Sequence, residues 1–316
     1  MGLAIEVKDL VKYYGKFLAL ENISFNVKKG EIFGFLGPNG AGKTTTQKIL
    51  TGILKPSGGR VSILGYDIEK DPLHAKKFTG IVPDETNAYI ELSAWDNLTL
   101  MGNLYGMPGK RIEERADELL KMFDLYQRRK DRVKGFSRGM KRRLLLAMGL
   151  IHEPDILFLD EPVSGLDVQS ARLMRKVIMD LNQKGITIFL TTHNIEEANQ
   201  MCHRVAIICK GKIAAIDRPE SLKKTIKVTQ SLEVAFDKPL ENLEELKEIP
   251  GVEEVKALGD KIRLFTSDPG RIIKPLALYS QDKNLEFISL NTLGPSLEEV
   301  FVNLTEERRQ DINEKQ

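Results

Sequence analysis

Gly37-Pro38-Asn39-Gly40-Ala41-Gly42-Lys43-Thr44 is the stretch on which the fold turns. It fits the pattern G-x-x-x-x-G-K-[ST], follows an apolar segment from Glu31 to Leu36 that reads as a buried strand, and precedes a helical stretch starting near Lys43. Gly37, Gly40 and Gly42 let the backbone take turns that a Cβ would forbid, so successive N–H groups can face inward around a phosphate. The next helix points its N-terminus at the same place and adds roughly half a unit of positive charge. In such a loop Lys43 reaches the β- and γ-phosphates and the Thr44 hydroxyl holds Mg²⁺. Pro38, Asn39, Ala41 and Thr45 complete the predicted phosphate contacts. The stretch therefore predicts a strand, loop and helix that handle ATP or GTP.

Working outward, Ile156-Leu157-Phe158-Leu159-Asp160-Glu161 is a second apolar strand, ending in two carboxylates. It is short and apolar enough to be buried on both faces, which puts Asp160 at its end as a second anchor for Mg²⁺. Glu161 follows at once and points to the other side, where an attacking water needs a base or orienting group. Pro162 stops the strand there, so a plain loop acid is the competing reading of Glu161.

With these motifs in place the chain resembles the ATP-binding-cassette (ABC) ATPases, the nucleotide-binding subunits of transporters. Gly135-Phe136-Ser137-Arg138-Gly139-Met140-Lys141 resembles the family signature written LSGGQ, keeping Ser137 and Gly139 and departing at Arg138 and Met140. Taken alone, Ser137 reads as a helix cap ahead of the apolar helix Leu144 to Leu150. Ser164-Gly165-Leu166-Asp167 corresponds to the family's interface-crossing loop, and Thr191-Thr192-His193 to its switch histidine. The resemblance implies that His193 bonds the γ-phosphate and holds Glu161 and the water. It also implies that Tyr14, in Lys12-Tyr13-Tyr14-Gly15, stacks on adenine, with Tyr13 the neighbouring candidate and a plain strand-end role open to both. Where the family usually carries a glutamine, Gly80-Ile81-Val82-Pro83-Asp84-Glu85 places Asp84, with Glu85 one step away. An aspartate there could meet Mg²⁺ through water.

The fold this resemblance implies is α/β: a RecA-like P-loop NTPase core with a mixed sheet, an antiparallel N-terminal β subdomain and a helical insert. Residues 1–30 read as antiparallel strands at Ala4 to Val7 and Ile23 to Val27, and Val61 to Leu64 and Gly80 to Val82 as further strands. Helix-favouring stretches at Asp96 to Tyr105, Ile112 to Phe123 and Met140 to Ile151 make the insert, at about 92–150. Strands then alternate with helices at Ser170 to Gln183 and Ile195 to His203, the pattern of a parallel sheet. The cassette is expected over 1–220. Residues 221–305 are expected to form a small α+β accessory domain in the order β-α-β-β-α-β, which suggests a ferredoxin-like unit. Its elements are a strand from Val228, a short helix opened by Pro239 to Leu243, a hairpin around Gly259-Asp260, a helix at Pro269 to Tyr279, a strand at Leu285 to Leu290 and a helix at Pro295 to Leu304. Its ending, Gly294 to Phe301, resembles the tail of ATPases serving multidrug, polyketide and polysaccharide exporters, and residues 306–316 read as a polar tail.

Composition fits this picture and limits it. With 316 residues, 41% of them hydrophobic, the chain can bury a large core. A formal charge of +2 gives no global indication of a nucleic-acid partner. Arg128 to Arg132 and Lys141-Arg142-Arg143 read as solvated helix flanks. Cys202 and Cys209, seven residues apart, suggest neither a disulfide framework nor a zinc site, and a reduced cytosol is the expected compartment. The start reads as an alternating strand instead of a leader, and the longest nearly apolar run, Leu144 to Ile151, falls far short of the ~20 residues that cross a bilayer.

One phosphate loop and one signature per chain imply, through the family, two copies sandwiching two ATP head to tail and driving a separate membrane permease from the cytoplasmic face. An exporter is the expected direction. The rival within the family is a soluble ATPase acting as a regulatory or scaffolding clamp; outside it, a kinase or GTPase, for which no Asn-Lys-x-Asp motif appears after the loop.

Overall fold

A computed structural model describes residues 2–84, 87–225, 230–240, 242–294 and 296–302. Glu85, the start of the strand expected from Val228, both ends of the helix expected at Pro295 to Leu304 and the tail 306–316 lie outside them. The chain divides into two compact units, Met1–Pro219 and Glu220–Gln316.

The first unit opens with β1 (Leu3–Tyr14) and β2 (Phe17–Lys28), an antiparallel pair whose buried residues alternate, Ile5 with Val7 on one strand and Phe25 with Val27 on the other. These strands are longer than the alternation at their outer ends suggests, because pairing runs unbroken in direction to a two-residue turn, with Tyr14 opposite Phe17. β3 (Ile32–Leu36) and α1 (Lys43–Leu50) flank the phosphate loop. Next come β4 (Gly58–Ile63), β5 (Tyr66–Asp67), α2 (Pro72–Lys77) and β6 (Thr79–Val82), then three helices of the insert, α3 (Ala94–Leu104), α4 (Gly109–Met122) and α5 (Arg138–Leu150). β7 (Ile156–Asp160), α6 (Val168–Gln183), β8 (Thr187–Thr192), α7 (Ile195–Met201), β9 (Arg204–Cys209) and β10 (Lys212–Asp217) close the unit. The expected extension of α7 to His203 does not form. There Cys202 is extended, and the His203 ring Nδ1 accepts the Ile32 N–H, which binds this residue to the start of β3 instead.

Two sheets result. One has the order β2-β1-β4-β5, and the other β10-β9-β3-β8-β7-β6. The second is parallel from β9 to β6, with β10 antiparallel at one edge. Every residue of β3 and β8 is buried, as a parallel sheet covered on both faces requires. Phe25 from the first sheet meets Phe33, Phe35 and Phe189 of the second, and Phe158 joins Phe189, with ring centroids 5.4–6.1 Å apart. This aromatic slab is the core beneath the site. Because β3, β8, β7 and β6 are parallel neighbours, the segments that follow all four emerge along one edge of the sheet, where α/β proteins bind ligands.

The second unit contains β11 (Gln230–Phe236), β12 (Glu254–Leu258), β13 (Lys261–Thr266), α9 (Pro269–Asp282) and β14 (Phe287–Leu293), after α8 (Pro219–Thr225) at the division. Its sheet is antiparallel in the order β12-β13-β11-β14, around a core that includes Leu232, Val234, Leu264, Ile272 and Leu276. The first crossover holds a 3₁₀ turn at Glu244–Glu248, started by Asn242 Oδ1 accepting the Glu244 N–H and followed by Pro250 and Gly251, which leave no length for an α-helix.

Candidate functional site

Along the common strand edge lies a cleft of about 440 Å³, lined by Tyr14, Phe17, Ala19, Pro38, Asn39, Gly40, Gly42, Lys43, Thr44, Thr45, Asp84, Asp160 and Glu161. The glycines of the loop serve two different needs. Gly40 and Gly42 have φ of 78° and 110°, backbone that L side chains rarely adopt. Gly37 does not; a Cβ there would stand 2.5 Å from the Ile208 carbonyl, so its requirement is close packing of the loop on β9. Gly37 and Ala41 support the loop without lining the cleft.

Lys43, 6% exposed, folds back along the loop and donates from Nζ to the carbonyls of Gly37 at 2.6 Å and Pro38 at 3.2 Å. Its Nζ also lies 3.8 Å from Glu161 Oε1. Burial lowers the Lys43 pKa, and the charges of Glu161 and Asp160 pull it back up. Thr191 donates its hydroxyl to the Asp160 carboxylate. The Thr44 hydroxyl and the Asp160 and Asp84 carboxylates are hard oxygen donors on one cleft, the kind of set that Mg²⁺ takes beside phosphate oxygens.

Glu161 sits one residue past β7 with φ at 47°, the left-handed region, uncommon for any residue other than glycine. Its N–H donates to the Thr191 carbonyl at 3.0 Å, pinning the turn to β8. The carboxylate is thereby brought to His193, whose Nδ1 lies 2.8 Å from Oε1. With that nitrogen donating to Glu161, a second donation from Nε2 to a phosphate requires the imidazolium form.

A buried acid that the sequence does not flag joins this network. Glu197, 1% exposed, accepts from the Thr192 hydroxyl at 2.5 Å, and its Oε1 has no hydrogen-bond partner among the described residues. Burial pushes its carboxyl up from 4.5 to about 7, with the Glu161 charge adding to the rise and the Thr192 bond opposing it. The folded chain thus holds a proton that the unfolded chain releases between these two values, so stability falls as pH rises through that window, by on the order of 3 kcal/mol. Glu197→Gln cannot ionise and is expected to flatten the melting temperature against pH between about 4.5 and 7. An unchanged slope in that variant would acquit Glu197.

Of the two N-terminal tyrosines, Tyr14 lines the cleft and Tyr13 does not. Phe17, 67% exposed and opposite Tyr14 across the hairpin turn, is a second aromatic there that motif reading misses, because residue alternation does not fix the hairpin register. Asp84 lines the cleft.

Ser137 and Gly139 do not line this cleft. Ser137 caps α5, accepting the Met140 N–H at 3.3 Å, and a Cβ on Gly139 would meet the Ser170 hydroxyl at 2.9 Å. The Arg138 guanidinium donates to the Ser164 carbonyl at 3.2 Å, so the signature segment and the loop before α6 are joined. Asp167 caps α6, accepting from the backbone N–H and the hydroxyl of Ser170.

The solvated reading of Arg142 is corrected: it is 6% exposed. Its partners are backbone carbonyls 18 to 59 positions away, which no side-chain pattern announces.

The family model described as ABC transporter matches residues 20–164. The linearmycin resistance ATP-binding protein LnrL of Bacillus subtilis is 34% identical over 308 residues, covering 95% of this chain and 98% of that protein. The Nod factor export ATP-binding protein I of a Rhizobium species is 34% identical over 303 residues, covering 96% and 97% respectively. A solved dimeric ATP-binding cassette in a post-hydrolysis state, bound to ADP and phosphate, matches with a TM-score of 0.62 at 27% identity, covering 68% of this chain and 98% of that one.

Proposed function

The chain belongs to the ABC transporter family as an ATP-binding subunit, and on that premise we propose that it hydrolyses ATP to ADP and phosphate to power an exporter. The observation that carries the hydrolytic reading is the grouping of Glu161 with His193 at 2.8 Å and with Lys43 at 3.8 Å, on the cleft that the phosphate loop lines. Export is supported by the relatives, whose names denote drug resistance and Nod factor export over nearly the whole of this chain.

In this reading ATP lies in the cleft with adenine against Tyr14 and Phe17, and its phosphates on the loop N–H groups and Lys43. Thr44 and Asp160 would hold Mg²⁺, with Asp84 reaching it through water; when bound it neutralises phosphate charge. Glu161 takes a proton from water in line with the terminal phosphate, and His193 holds that carboxylate in place. Ser137 and Gly139, away from their own chain's cleft, serve the nucleotide of a second copy. Two chains close on two ATP, and loss of the terminal phosphate lets them part. Among the described residues no helix is long and apolar enough to cross a membrane. The permease of this proposal is a membrane subunit met at the cytoplasmic face of the membrane.

The test has two arms. The purified chain with ATP and Mg²⁺ is expected to release phosphate, alone or with its permease. Pull-down from detergent-solubilised membranes is expected to recover an integral membrane protein. No phosphate release in either state sinks the ATPase reading, and recovery with ribosomes or DNA instead sinks the transport reading.

A further inference from the structure

The Arg142 side chain, carried on α5 five positions after Ser137, makes a set of contacts that the proposed reaction cycle leaves unused. A guanidinium has five N–H groups. Here the recorded acceptors are also five, all backbone carbonyls. Nε donates to Pro162 at 3.1 Å. Nη1 donates to Pro83 at 2.5 Å and Asp84 at 2.9 Å. Nη2 donates to Asp160 at 2.5 Å and Glu161 at 2.7 Å. Three separate segments meet at one planar group: the signature helix, the segment after β6 that carries Asp84, and the end of β7 at Asp160 with the turn that follows it at Glu161.

This is more than the satisfaction of a stray buried charge. The carbonyls on Nη2 and Nε belong to the end of β7 and the turn in which Glu161 holds its left-handed backbone, and that backbone decides where the carboxylate points. The carbonyls on Nη1 belong to the segment after β6, whose Asp84 lines the same cleft. A lysine keeps the charge but has three donors on a single rotating atom, without the rigid fork that reaches two segments at once.

We propose that Arg142 is a positioning residue for ATP hydrolysis, setting the Glu161 turn and the Asp84 segment against each other and against the helix that begins at Ser137. Through it, movement of α5 or of the Asp84 segment displaces the catalytic carboxylate. The inference rests on the hydrolytic role given to Glu161 above.

Its test is a split between turnover and affinity in the full-length chain, with melting curves beside the kinetics. Arg142→Lys is expected to lower kcat for ATP by at least about tenfold while KM stays within about threefold, the mark of an interaction used in the transition state. Arg142→Gln, which keeps only two donors and no charge, is expected to lose at least as much kcat with the same small change in KM. A folded Arg142→Lys with kcat within about twofold of the parent overturns the proposal. So does a rise in KM that accounts for the lost kcat/KM in both variants. Failure of both variants to melt cooperatively overturns it too, by assigning Arg142 to folding alone. If the parent chain itself releases no phosphate, the hydrolytic reading has failed; normal turnover in the variants sinks this inference alone.

Discussion

A Glu161→Gln variant is expected to lose at least about a hundredfold in the steady-state rate of ATP hydrolysis while still binding ATP, the scale at which a positioned general base contributes. Glutamine has nearly the same shape, so the turn and the approach to His193 persist, but the amide cannot take a proton from water. It also removes one of the two negative charges that hold up the Lys43 pKa. Bound phosphates supply negative charge in its place. ATP should therefore enter, draw two chains together and stay uncleaved. Light scattering of the variant with ATP and Mg²⁺ should show a stable dimer that the parent chain forms only transiently. Parent-like turnover in Glu161→Gln would take the base away from this residue.

Lys43→Ala is expected to fail one step earlier, at binding. Charge-assisted hydrogen bonds contribute about 1.5–3 kcal/mol each, so losing the ammonium should weaken ATP by about 10- to 100-fold. The variant also leaves the Gly37 and Pro38 carbonyls without the donor they share, loosening the loop itself. Titration with a fluorescent ATP analogue separates this from the Glu161 variant, whose affinity should be kept. Equal affinity in Lys43→Ala and the parent would remove the loop lysine from phosphate recognition.

The meeting of Lys43, Asp160 and Glu161 at one cleft is legible before any coordinates because each ends or follows a short apolar strand. Parallel strands in one sheet deliver such ends to one edge. Tyr14 is legible only through resemblance, and its neighbour Phe17 follows from the hairpin register, which alternation alone does not fix. Glu197 and Arg142 resist sequence reading for a different reason. A glutamate four positions after His193 and an arginine in a basic triplet look like ordinary helix-surface residues. What buries them is a threonine hydroxyl in one case and distant main-chain carbonyls in the other, and neither leaves a trace in residue type. In the second unit the strands are legible from alternation, whereas the first crossover tightened into a 3₁₀ turn because only a few residues separate Asn242 from Pro250.

The backbone at position 161 has a bearing on how this site can change over generations. An L-residue there carries about 1–2 kcal/mol of steric cost that glycine would not, and asparagine would carry less of it. Against that cost stand the contacts of the carboxylate to His193 and Lys43, which neither replacement would make in the same way. A descendant with glycine or asparagine at this position would relieve that cost, would give up the contacts to His193 and Lys43, and under the proposed mechanism would lose the group that takes a proton from water. Under the proposed mechanism, the acid at this position therefore exchanges backbone ease for turnover.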